Sequence, residues 1–210
     1  MRPIVKICGL MREDDVRMCA RHGADILGFV VEYPKPVPWN LRAAAARTLI
    51  AAAPKSVRTC VVTGGSVERV LRVARKTQPD YIQLHCGESL EDTVYLVRQG
   101  LKIIKTLFPN TPDLEQAAAD FHAAGVYALL YDPRTPDNAA QGGKADLLMF
   151  SRLRQAASCP VVLAGGITPA NAAEMIAAAR PEMIDLMTGV EHSPGVKDET
   201  KVIELFRALG

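Results

Sequence analysis

Aromatic residues make up only 5% of the 210-residue chain, with a single tryptophan, and the charges nearly cancel at a formal +2. A nucleic-acid surface needs a strong basic field and stacking platforms, so the composition offers no basis for that partner. No stretch reaches the roughly 18 consecutive apolar residues of a membrane span, because Arg42, Arg47 and Pro54 break the alanine-rich runs. The amino-terminal apolar segment is too short for a signal h-region and is soon followed by Glu13, Asp14 and Asp15, which reads as a cytoplasmic chain. The five cysteines, Cys8, Cys19, Cys60, Cys86 and Cys159, are odd in number and form no CxxC, so they make no disulfide framework. The four histidines are scattered singly, without an HxxxH pair or a cysteine at ligand spacing. No metal site is expected.

What is present is a 49% hydrophobic composition, enough for a substantial core in one domain spanning residues 1–210. Short β-rich runs alternate with segments of helical period about every 26 residues, the chain length divided by eight. The strands expected are 4–8, 26–31, 57–62, 81–85, 102–107, 127–132, 160–164 and 184–188. Helices are expected near 12–22, 41–53, 66–77, 88–98, 112–123, 145–157, 170–179 and 199–208. Runs such as Ile26-Leu27-Gly28-Phe29-Val30 lack polar alternation, which suits parallel strands covered on both faces. Gly23 and Gly125 fall where helices should end, and Thr168-Pro169 reads as an N-cap followed by proline at the first helical position. Eight such βα units predict a single (β/α)8 TIM barrel, the alternative being an open doubly wound sheet.

In a barrel the active site is built at the carboxyl ends of the strands. Two glycine-bearing turns follow the last two strands, Ala164-Gly165-Gly166-Ile167 and Thr188-Gly189-Val190-Glu191. Glycine lets backbone N–H groups approach an anion, so Gly165, Gly166, Thr188 and Gly189 are the expected phosphate cradle; the plainer reading is two ordinary tight turns. Cys8 ends the first strand and is placed to act as a base, whereas the other four cysteines read as core residues. Asp132 ends the sixth, where partial burial would raise its carboxyl and suit it to act as a general acid; the alternative is a cap on the turn through Pro133.

The motifs Val5-Lys6-Ile7-Cys8-Gly9-Leu10, Gly23-Ala24-Asp25-Ile26-Leu27-Gly28-Phe29-Val30, Gln83-Leu84-His85, Leu163-Ala164-Gly165-Gly166-Ile167 and Gly189-Val190-Glu191, together with Asp185 and Pro194-Gly195-Val196-Lys197-Asp198, resemble phosphoribosylanthranilate isomerase over nearly the whole chain. The resemblance implies an Amadori rearrangement in tryptophan biosynthesis that needs no cofactor. It would convert a small N-ribosyl phosphosugar into an aminodeoxyketose phosphate, in a monomer or homodimer. It implies Cys8 as the base that removes the sugar C2 proton and Asp132 as the acid that protonates the ring oxygen. A cysteine rather than an aspartate ending the first strand implies the single-pathway type.

Two segments depart from the family pattern. Pro38 stands where the family has an arginine that holds the anthranilate carboxylate, and Gln141-Gly142-Gly143-Lys144-Ala145-Asp146-Leu147 replaces the usual glycine-rich lid. Arg134 is the expected substitute for the missing arginine, ahead of Lys35 and Arg42; the plainer reading is a solvated loop residue. The competing functions are a paralogue acting on another aminosugar phosphate and a binder that no longer turns substrate over. Acid and base roles predict a bell-shaped kcat/KM profile that titrates between pH 6 and 9.

Overall fold

A computed structural model describes residues 2–135 and 143–210. Eight parallel strands close into a barrel: β1 (Ile4–Ile7), β2 (Ile26–Val30), β3 (Arg58–Thr63), β4 (Tyr81–Leu84), β5 (Ile103–Leu107), β6 (Ala128–Tyr131), β7 (Val161–Ala164) and β8 (Met183–Leu186). The ring is sealed by β1 against β8, in a register that sets Lys6 beside Asp185. Among the described residues the covering helices are α1 (Glu13–Arg21), α2 (Ala43–Ala52), α3 (Val67–Thr77), α4 (Leu90–Arg98), α5 (Leu114–Ala123), α6 (Leu147–Ala156), α7 (Ala172–Ala179) and α8 (Glu199–Leu209). The (β/α)8 expectation therefore holds, and the open sheet is excluded by the closure.

The strands lack polar alternation because both faces are buried, each in its own core. Val5, Ile7, Val61, Ile82, Leu84 and Leu129 point outward into the layer shared with the helices. Their neighbours Ile26, Cys60, Tyr81, Ile104, Ala128, Leu130, Val162 and Met183 fill the barrel interior. A third group, Cys8, Val30, Tyr33, Trp39 and Val62, packs above it at the carboxyl end of the barrel. This period-two pattern aims the site. In β6, Ala128 and Leu130 face inward, so Asp132 beyond them faces inward too. Cys8 and Asp132 still extend the ladder, their N–H groups donating to Leu186 O and Leu107 O at 2.8 and 3.0 Å.

Helix starts are fixed by side-chain caps: Ser66, Ser89, Asp113, Asp146 and Asp198 each accept a backbone N–H three residues on. Gly23 and Gly125 take positive φ of 112° and 86°, as the helix-end reading requires. The Thr168 cap is corrected. Thr168 O accepts from the N–H groups of Asn171 and Ala172, and Asn171 Oδ1 takes the Thr168 N–H at 2.8 Å. The segment turns once before α7 begins, so Pro169 lies in the turn and not at the first helical position. Cys86 and Cys159, expected in the core, are only partly buried. A short hairpin between β8 and α8, β9 (Glu191–Ser193) with β10 (Val196–Lys197), was not expected. No helix among the described residues is long and apolar enough to cross a membrane.

Candidate active site

One cleft at the carboxyl end of the strands, about 820 Å³ including its open mouth, is lined by Cys8, Asp132, Arg134, Gly165, Gly166, Thr188 and Gly189. All seven expected site residues are thus brought together. Val30, Tyr33, Val37, Trp39, Val62 and Leu130 give it an apolar wall, and Gln83, His85 and Asp185 add polar groups.

The glycine turns touch each other and tolerate no side chain where they do. A Cβ on Gly189 would lie 1.9 Å from Ile167 O in the other turn, and one on Gly166 would lie 2.5 Å from Gly143 O in the loop before α6. Gly165 and Gly166 also hold positive φ of 99° and 62°, the left-handed region that glycine occupies without strain. Thr188–Val190 forms one turn of 3-10 helix just after β8, with Gly189 against the backbone of Ile167 and Thr168 that follows the Gly165-Gly166 turn. Such adjacent backbone turns suit an anion with several oxygens.

Cys8 is buried, at 4% exposure. Desolvation raises its thiol, and although the Lys6 ammonium pulls the other way, burial wins and the thiol keeps its proton. Lys6 lies within the barrel and donates to Asp185 Oδ2 at 2.9 Å. Burial opposes its charge, but Asp185, Cys8 and Cys60 outweigh burial and hold it firmly as an ammonium. A permanent cation therefore waits beside Cys8 to stabilise a thiolate once one forms.

Asp132 is more buried still, at 2% exposure, yet the expected rise of its carboxyl is reversed. Burial does push it up, but hydrogen bonds from His85 and Arg134, and their charge, push harder, so the carboxyl sits well below the usual range. Arg134 donates from Nε to Oδ1 and from Nη2 to Oδ2, both at 2.8 Å, and its backbone N–H adds a third contact to Oδ1 at 2.9 Å. His85 Nε2 approaches Oδ2 at 3.3 Å. On the other side of the ring, Gln83 Nε2 and Thr106 Oγ1 lie 3.2 and 3.0 Å from His85 Nδ1 and fix the ring's orientation toward the carboxylate. Asp132 is a charged carboxylate held on three sides.

The bell-shaped profile must be corrected accordingly. A thiol facing a carboxylate holds one proton, the same number as a thiolate facing a carboxylic acid. Rate therefore falls only when that single proton is lost or a second is added, below the depressed Asp132 range or above the raised Cys8 range. Between pH 6 and 9 the profile is expected to be flat.

Sequence reasoning missed the support around the pair. Trp39 Nε1 donates to Glu191 Oε1 at 2.9 Å, and Glu191 also takes Lys197 Nζ at 2.8 Å, joining the loop after β2 to the 3-10 turn. Tyr33 donates its hydroxyl to His85 O at 2.9 Å. Behind them Glu88 accepts from Cys86 N–H, Gly65 N–H and buried Lys105, tying together the loops after β3 and β4. Pro38 is exposed and not on the cleft wall, and Arg134 is the only cationic side chain among the described residues lining the cleft. In the altered lid segment, Asp146 caps α6 through Met149 N–H, while Gln141 and Gly142 lie outside the described residues.

A closed barrel with two ionisable groups on the ends of strands 1 and 6, and glycine turns on strands 7 and 8 between them, has the layout of a (β/α)8 enzyme with its site at the carboxyl end of the strands. Comparison with known proteins narrows this class. The family described as N-(5'phosphoribosyl)anthranilate (PRA) isomerase matches residues 5–208. The N-(5'-phosphoribosyl)anthranilate isomerase of Chlorobium luteolum is 32% identical over 218 residues, covering 98% of both chains. The crystal structure of phosphoribosyl anthranilate isomerase from Thermus thermophilus superposes with a TM-score of 0.84 at 32% identity, covering 100% of this chain and 98% of the other. A further isomerase structure, in complex with reduced 1-(o-carboxyphenylamino)-1-deoxyribulose 5-phosphate, gives 0.82 at 26% identity, with 100% and 98% covered. The chain belongs to the N-(5'-phosphoribosyl)anthranilate isomerase family.

Proposed function

We propose that Cys8 is the general base and Asp132 the general acid of this chain's reaction, and that Gly165, Gly166, Thr188 and Gly189 hold the substrate phosphate. The reaction is the aldose–ketose isomerisation of N-(5'-phosphoribosyl)anthranilate in tryptophan biosynthesis. Asp132 gives a proton to the ring oxygen as the C1–O bond breaks, and the Cys8 thiolate takes the C2 proton. The resulting enol then ketonises to the 1-deoxyribulose product, so no atom is gained or lost. Arg134 binds the anthranilate carboxylate in place of the arginine that Pro38 replaces. The working compartment is cytoplasmic, a reading supported by five free cysteines, one of them assigned to catalysis.

The observation that carries this reading is the single cleft in which Cys8 and Asp132 share walls with the two glycine turns. The test is the fluorescence decay of freshly generated phosphoribosylanthranilate, run with the wild type, Cys8→Ala and Asp132→Asn. Decay that needs both residues is expected, with each variant about 10²- to 10⁴-fold slower. Decay that survives either substitution would remove that residue from its role.

A further inference from the structure

Asp132 cannot donate a proton while it stands as the carboxylate that Arg134 and His85 enclose. The same Arg134 is the cation on the cleft wall available to the anthranilate carboxylate. We propose, resting on the function above, that Arg134 serves these two carboxylates in turn: it holds Asp132 through the two-point contact, and when it moves to the substrate's carboxylate it frees Asp132 to take up the proton that it then donates. Recognition of the aglycone and arming of the acid become one event.

The exchange is physically economical. Arg134 binds Asp132 through a two-point contact, and an aromatic carboxylate offers the same planar pair of oxygens. The guanidinium passes from one carboxylate to another and is never left as an unpaired buried charge. Asp132, at 2% exposure, is left with the His85 contact in place of its two-point guanidinium, and a buried carboxylate that loses its counter-charge responds by taking up a proton. The proton is already in the site. The Cys8 S–H bond breaks, an Asp132 O–H bond forms by transfer through solvent, and the Lys6 ammonium steadies the new thiolate. The product of that transfer is the base and acid pair the isomerisation requires.

The ionisable groups around this event come from several elements. His85 stands at the end of β4, Arg134 on Asp132's own loop, and the Tyr33 and Tyr131 phenols sense the Asp132 charge. Cys8 and Asp185, across the cleft, act on Arg134. Asp185 gives one oxygen to Lys6 and keeps Oδ1 without a hydrogen-bond partner, so within the cleft it and the incoming substrate carboxylate are the groups that can draw on Arg134.

The experiment compares phosphoribosylanthranilate with N-(5'-phosphoribosyl)aniline, which lacks only the carboxylate, on the wild type and Arg134→Ala. The wild type should turn over the carboxylate substrate with a kcat roughly 100-fold above the aniline analogue. Arg134→Ala should cross the two over, losing kcat on the first substrate while gaining about tenfold on the second, because the acid is no longer held ionised. A loss of kcat on both substrates alike would overturn the proposal and leave Arg134 as a positioning residue for Asp132. A second readout does not depend on the variant. In the wild type, the 13C resonance of the Asp132 carboxyl should report a roughly 100-fold gain in proton affinity with a reduced, carboxylate-bearing product analogue. No gain should appear with its decarboxylated counterpart, and equal behaviour with both would also overturn the proposal. A wild type inactive on phosphoribosylanthranilate would instead refute the function on which the proposal rests.

Discussion

The two halves of the active site start from the same physical condition and end in opposite charge states. Cys8 and Asp132 are both almost fully buried, and in both burial favours the protonated form. At Cys8 burial prevails, because Lys6 divides its charge between the thiol and Asp185. At Asp132 the partners prevail, because Arg134 spends two side-chain donors and a backbone N–H on one carboxyl and His85 adds another. Depth alone therefore says little about which group is the acid. The number of donors committed to each group decides, and it leaves the proton on the thiol and the charge on the carboxyl.

The largest break in this comparison comes from the Cys8 side. Lys6→Met removes the cation that steadies the thiolate and leaves Asp185 as a buried charge without its partner. Unfolding in urea should reveal a loss of about 3–5 kcal/mol, as for other buried pairs broken on one side. Lys6→Met/Asp185→Asn should recover most of that stability but not the activity. Recovery of kcat together with stability would mean that Lys6 does not act on the thiolate. On the Asp132 side, His85→Asn should be gentler, since Arg134 remains. With one stabilising donor weakened, the carboxyl rises toward its ordinary value. The acid limb of kcat/KM should then move up toward, without passing, the ordinary aspartate value of about 3.9, while the plateau from pH 6 to 9 stays flat. An acid limb at the same pH in both proteins would show that His85 leaves the carboxyl unaffected.

The inward direction of Cys8 and Asp132 was legible because it follows from strand period alone: each lies an even number of residues from an interior position of its own strand. The glycine turns were legible for the same reason, as local sequence at a known end of the barrel. What escaped was whatever depends on closure. Lys6 meets Asp185 across 179 residues, and Trp39 meets Glu191 across 152, both between strands or loops brought together only when the ring seals. The charge of Asp132 was misjudged for a different reason. Burial is what its apolar run indicates, whereas Arg134 two residues on reads from sequence as a substrate ligand or a solvated loop residue, not as a partner of Asp132. An arginine at that spacing, on a turn begun by proline, was the available signal that it folds back.

The gentlest test extends the same contrast to folding. A carboxyl held below its ordinary value binds fewer protons when folded than unfolded, so the Asp132 contribution is present above the normal aspartate range and is lost as pH falls through the depressed value. A thiol held above its ordinary value behaves oppositely. Cys60, fully buried inside the barrel and pushed up to about 12 by desolvation, stabilises the fold fully below its ordinary value of 9.0 and loses that contribution as pH rises. Above pH 9 its share of the slope approaches about 1.4 kcal/mol per pH unit. Urea unfolding at pH 8, 9 and 10 should therefore find Cys60→Ala less stable than the wild type at pH 8, with the gap narrowing at each step. Parallel curves would mean that Cys60 ionises as readily in the barrel as in the unfolded chain, so that the interior beneath Cys8 admits water and burial is not what holds the catalytic thiol protonated.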